Sequence, residues 1–145
     1  MFNVKINKNI KVKLYSLTIK QYQNFFLKMI KILENNNLFY SITKEQSNNS
    51  ISLFIQECDE LKELDNYINR ENNTYNIFSI YTYDSQINNC GIVHNISNIF
   101  TKYNIPIIYI NTFFENLILV NENDFDKALI GLQLIIDNDN IILLS

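Results

Sequence analysis

The chain has 145 residues, a formal net charge of −3 and 47% hydrophobic residues, which suits one ordinary domain or two very small ones and is too apolar for disorder. Mild acidity argues against the basic surface with which nucleic-acid binders displace counterions from phosphates. Two cysteines, Cys58 and Cys90, form neither a disulfide framework nor a zinc spacing, and no apolar run approaches the ~18 residues of a membrane span.

The N-terminus, MFNVKINKNIKVKL, lacks the apolar centre of a signal peptide. Free thiols suit a reducing compartment, so a cytoplasmic protein without membrane contact is expected. Asparagine and isoleucine each occur 25 times, a bias of codon usage that removes weight from any single one of them. Lys8, Lys11, Lys13, Lys20, Lys28 and Lys31 give the first 35 residues a basic tilt, which reads as a solvated face.

Residues 10–18, IKVKLYSLT, alternate Ile10, Val12 and Leu14 against Lys11 and Lys13, as a half-buried strand does. Residues 20–34 place Tyr22, Phe25, Phe26, Met29, Ile30 and Leu33 at helical spacing, ended by Asn35, Asn36 and Asn37. LFYSIT (38–43) and SISLFIQE (50–57) read as strands joined by a polar turn, and a short helix is expected from Asp59 to about Leu64. Residues 65–74, DNYINRENNT, read as a linker. The order then repeats: strand 75–82, loop 83–90, helix 91–103, strands 105–112 and 116–120, helix 124–136 and a last strand 141–145. The continuous apolar run NLILV predicts a strand covered on both faces.

Strand-helix-strand-strand-helix-strand is the ferredoxin-like βαββαβ unit. An α+β fold of two such units follows, with antiparallel sheets and helices on one face, repeating at about 70 residues. The first unit, 1–66, is degenerate: its second helix is short and its closing strand has to come from elsewhere in the chain. The second unit spans 67–145. The pattern leaves open which half the last strand joins.

Chemistry-bearing clusters are few. His94 is the only histidine, and a Cys90/His94 nucleophile pair at i, i+4 is a weak candidate beside a plain surface helix. Glu57, Asp59, Glu60, Glu63 and Asp65 lack the spacing and the glycine turn of a cation loop and read as a solvated face, with no metal or cofactor expected. Gly91 is one of two glycines and opens a helix after a polar loop. A helix start offers unpaired N–H groups and a positive dipole end, so bare backbone there suits a phosphate or a carboxylate. The alternative is a glycine needed for tight packing of helix on strand.

Residues 90–120, CGIVHNISNIFTKYNIPIIYINTFFENLILV, resemble the ACT domain family: a glycine opens a helix that is followed by an I-x-I-x-Y-I-N-T strand and an ILV strand. The segment 37–64, NLFYSITKEQSNNSISLFIQECDELKEL, is similar to the companion unit of the tandem-ACT type, found in the CASTOR arginine sensors, in small bacterial two-ACT proteins and in the regulatory region of aspartate kinase. The resemblance implies a non-catalytic sensor that binds a small amino acid at an ACT–ACT interface, forms a homodimer and acts on a regulated protein partner. By motif match the loop contacts fall on Asn89, Cys90, Gly91 and Ile92, and the strand contacts on Pro106, Ile107, Phe113 and Asn116. Backbone N–H groups of Gly91 and Ile92 would take the ligand carboxylate. The arginine sensors carry acidic residues where this chain has Asn89 and Asn116, and a serine where it has Pro106; Glu115 stands one residue away. The resemblance therefore leaves the amino acid open. It also leaves a ligand-free ACT-type dimerisation or interaction module as the alternative.

Overall fold

The computed structural model describes residues 2–67, 72–82, 90–112, 115–139 and 142–144. The middle of the expected linker, the loop 83–89 with Asn89, and Phe113 lie outside the described residues. The chain is a mixed α/β protein that divides into two compact units, one of Ile10–Thr74 and one of Met1–Asn9 with Tyr75–Ser145.

The first unit contains the C-terminal part of β1 (Phe2–Thr18), helix α1 (Ile19–Asn35), β2 (Tyr40–Glu45), β3 (Ser50–Gln56) and a 3-10 helix (Asp59–Tyr67). The strands lie in the antiparallel order β2-β3-β1, with Tyr15 opposite Leu53 and Ser16 opposite Ser52. Period-two alternation sends Tyr15, Leu17, Ile51, Leu53 and Ile55 to one face, where Met29 and Leu33 of α1 and Leu61 and Leu64 of the 3-10 helix complete a buried core. Thr18 and Gln21 form a capping box at the head of α1: each side chain accepts from the other residue's backbone N–H, at 3.2 and 2.8 Å.

The second unit contains β4 (Thr74–Thr82), α2 (Cys90–Lys102), β5 (Ile107–Asn111), β6 (Asn116–Asn121), a 3-10 turn (Glu122–Asp124), α3 (Phe125–Asp139) and β7 (Ile142–Leu144). β6 lies antiparallel between β4 and β5, and Asn116 to Val120 are consecutively buried, so both faces are covered. Phe78, Ile80, Ile118 and Val120 meet Ile96 and Phe100 of α2 and Ala128 and Leu132 of α3 in one cluster. β1 starts at Phe2, eight residues before the expected strand, and its early residues group with this unit. The last strand joins it there, running parallel to β1 with Asn3 opposite Ile142 and Lys5 opposite Leu144.

Among the described residues the left-handed backbone positions are held by Asn37, Asn49 and Asn104, with φ of 50°, 49° and 53°, and neither glycine has a positive φ. Asn37 and Asn104 end α1 and α2 in the same way. The next residue, Leu38 or Ile105, donates its N–H to Leu33 or Phe100 at 2.9 or 2.8 Å, the Schellman pattern with its apolar follower. Asparagine thus does in this chain what glycine commonly does.

Candidate ligand site at the head of α2

Gly91 is the second residue of α2 and is exposed. Its φ is not positive, and a Cβ built on it meets no described atom within 4 Å. The structure therefore gives no packing reason for this glycine. It contrasts with Gly131 of α3, where an added Cβ would lie 3.1 Å from Tyr103 and 3.2 Å from Ile99. No described atom crowds Gly91, and the first N–H groups of a helix have no intrahelical acceptor.

Asn116 begins β6 opposite Ile80, two residues before the end of β4. In that register its side chain shares the sheet face of Ile80 and Phe78, the face that α2 covers. Asn116 is only 5% exposed, and its Oδ1 has no hydrogen-bond partner among the described residues. The same holds for the buried Oε2 of the neighbouring Glu115. Thr112 fixes the start of this strand: its N–H and hydroxyl donate to the Glu115 carbonyl at 3.0 and 2.6 Å, and its hydroxyl accepts from the Glu115 N–H at 3.1 Å. Among the described residues these two buried acceptor oxygens meet no donor, an arrangement that costs ~1–3 kcal/mol per group unless a donor arrives.

The predicted site residues do not all converge. The backbones of Cys90, Gly91 and Ile92 lie in the first turn of α2, and the side chains of Cys90 and Ile92 lie outside the described set, as do Asn89 and Phe113. Pro106 is exposed and Ile107 half-buried. Ile107 pairs with Val120 while Asn111 pairs with Asn116, so Ile107 and Asn116 mark opposite ends of the β5–β6 ladder. That places them about 13 Å apart along the strands.

His94 is exposed on α2. Of the acidic run, Glu57 and Asp65 approach Lys13 at 3.5 and 3.4 Å, Asp59 pairs with Lys62 at 3.0 Å, and Glu63 pairs with Lys28. The carboxylates and the early lysines are therefore partly each other's counterions. No group of three metal-ligating side chains forms among the described residues. No described helix is long and apolar enough to cross a membrane. In the sequence Glu115 stands out only as a neighbour of Asn116; its orphaned oxygen has no sequence signature, because burial comes from the fold.

Residues 72–133 match the family described as the ACT domain. Solved structures share the fold at low identity. An Agrobacterium tumefaciens protein superposes with a TM-score of 0.63 at 20% identity, covering 99% of this chain and 92% of that one. A protein described as a C-terminal regulatory domain of aspartate kinase, from Porphyromonas gingivalis W83, gives 0.53 at 20% identity over 91% and 93%. The regulatory subunit of aspartate kinase from Thermus thermophilus, in ligand-free form, gives 0.56 at 9% identity over 89% and 95%. At such identities the likeness establishes the fold alone. No curated protein matches the chain.

Proposed function

We propose that the chain is a non-catalytic regulatory module of two ferredoxin-like ACT units that binds a small amino acid at an ACT–ACT interface. The orphaned oxygen of Asn116, on the sheet face beneath α2, and that of the adjacent Glu115 carry this reading. An amino acid is complementary to them. Its ammonium supplies N–H donors to Glu115 and Asn116, and its carboxylate suits the open helix head at Gly91 and Ile92. The ACT match over 72–133 and the aspartate kinase regulatory proteins among the structural neighbours support a regulatory role. In this reading the first unit is degenerate, a homodimer supplies the facing ACT surface for Pro106 and Ile107, and the complex acts on a protein partner in the cytoplasm.

Thermal-shift measurement against the twenty amino acids tests it. A ligand at a hundredfold excess over its Kd stabilises by about 2.7 kcal/mol, a shift of several degrees. Asn116→Val is expected to abolish that shift while leaving the melting temperature of the free protein unchanged or higher, since it removes an unpaired polar atom from a strand. If no amino acid shifts the transition at millimolar concentration, the ligand-free interaction module is the better description. A fall in free-protein stability of 2 kcal/mol or more on Asn116→Val, by about the cost of a broken buried hydrogen bond, means Asn116 is structural.

A further inference from the structure

The first unit carries a concavity that the ACT match does not reach, with a volume of about 770 Å³. All of its lining residues fall between Leu14 and Tyr67, outside the span 72–133. Register explains its composition. Ser16 pairs with Ser52, Thr18 with Ser50 and Glu45 with Ser50, so these residues project from the sheet face opposite the α1-covered core. Glu45 stands among the serines. Its carboxylate accepts a hydrogen bond from the Ser50 hydroxyl at 3.3 Å and another from the Ser52 hydroxyl. Leu14, on the same face as Ser16, supplies apolar surface, and Asn48 and Tyr67 add polar groups at the margin.

The charge of the groove selects its ligand. Among the described lining residues Glu45 is the only ionisable side chain apart from Tyr67, and none is a lysine, arginine or histidine. The head of α1 also opens here, but Thr18 and Gln21 cap it reciprocally, so its N–H groups are already partly used. A capped helix end carries at most about half a positive charge, against the full negative charge of Glu45. An anion finds no counter-charge among the described lining residues. A cation finds a carboxylate held in place by two hydroxyls, with acceptor lone pairs to spare. Serine hydroxyls accept further N–H bonds, and Leu14 suits a short methylene chain.

We propose that this groove is a second ligand site, independent of the one beneath α2, and that it takes a small aliphatic amine whose ammonium pairs with Glu45. The ammonium donates to Glu45 and to the Ser16 hydroxyl, and the chain lies along Leu14. Two ligand sites in separate units would let the protein respond to two small molecules. The inference does not depend on the amino-acid reading.

Calorimetric titration of the full chain with 1,4-diaminobutane, and with 1,4-butanediol as the uncharged counterpart, tests it. Saturable binding of the diamine and none of the diol is the expected result. Glu45→Gln keeps a side chain able to accept from Ser50 and Ser52, and it should weaken the diamine tenfold or more. Ser16→Ala, which leaves Glu45 intact, should weaken it less, and Asn116→Val should leave it unchanged. Equal binding by Glu45→Gln, equal binding of diol and diamine, loss on Asn116→Val, or no diamine binding at millimolar concentration each overturns the proposal. Unaltered circular dichroism of Glu45→Gln, measured alongside, separates loss of the charge from loss of the fold. An unfolded Glu45→Gln passes the decision to Ser16→Ala and to the amine–diol comparison.

Discussion

Tyr15 shows how one side chain ties a sheet to the segment that covers it. Its ring is in the core, and its hydroxyl donates to Asp65 at 3.0 Å from the end of the 3-10 helix. Burial, and then the nearby Asp65 charge, push its pKa well above the ordinary 10.0 of a tyrosine. The folded value lies above the unfolded one, so the stabilisation from the neutral phenol is fully present below about pH 10, falls as pH rises beyond it, and is gone only once pH passes the higher folded value. Tyr15→Phe should cost about 1 kcal/mol near neutral pH. The figure is at the low end for a bond to a charged acceptor because Asp65 is partly exposed and also meets Lys13 at 3.4 Å. The informative measurement is urea stability across pH 8 to 11. The gap between wild type and Tyr15→Phe should narrow above about pH 10. A gap that stays constant would mean the hydroxyl contributes only through packing. The orphaned oxygens of Glu115 and Asn116 belong to the same scale with opposite sense, being buried polar atoms whose partner is not among the described residues.

At the scale of elements, the two glycines separate packing from openness. α2 and α3 pack in one core, and Gly131 lets the Tyr103 ring and Ile99 approach the α3 backbone. Gly131→Ala gains about 1 kcal/mol of helix propensity, yet the new methyl sits 3.1–3.2 Å from its neighbours, so the terms offset and little net change is expected. Gly131→Val adds bulk that the contact cannot absorb and should destabilise by about 2 kcal/mol. Gly91→Ala meets nothing and should stabilise the free protein by a few tenths of a kcal/mol, while weakening any ligand that approaches the helix head. Thermal unfolding of the three variants checks this, and a clear loss of free-protein stability for Gly91→Ala would show that its bare backbone serves the fold.

Helices and central strands were legible because their periodicity reports burial directly, and α1 and β6 follow the spacing of Phe25, Met29 and Leu33 and the run NLILV. The expected short helix appears as a longer 3-10 segment through Tyr67, since Leu61 and Leu64 at i, i+3 suit three residues per turn. β1 was read too short because the polar residues of NVKINKN hid an alternation of Phe2, Val4 and Ile6 that continues into Ile10 and Val12. The groove around Glu45 was not legible. Ser16, Ser50 and Ser52 become neighbours only through the pairing of β1 with β3, and Glu45 only through that of β2 with β3.

At the scale of the whole chain, β1 does two jobs. Its C-terminal part is an antiparallel partner of β3 in the first unit, and its stretch through Asn9 groups with the second unit, where β7 runs beside it. A chain-terminal strand that pairs with the opposite terminus forms only contacts of very high sequence separation, and these carry the largest loop-closure cost. Removing residues 2–8 should therefore weaken the unit at the far end of the sequence rather than the one that follows the deletion. β7 would lose the strand opposite its three paired residues, and at ~1 kcal/mol per hydrogen bond the second unit should lose about 2 kcal/mol or more. Hydrogen exchange resolved along the chain reads the outcome: protection should fall in β4 and β7 and persist in α1, β2 and β3, whose core is built from residues after Leu14. Uniform loss across both units would mean that they unfold together and that the division of β1 has no energetic counterpart. Selective loss in α1 and β3 would instead place the early part of β1 in the service of the first unit.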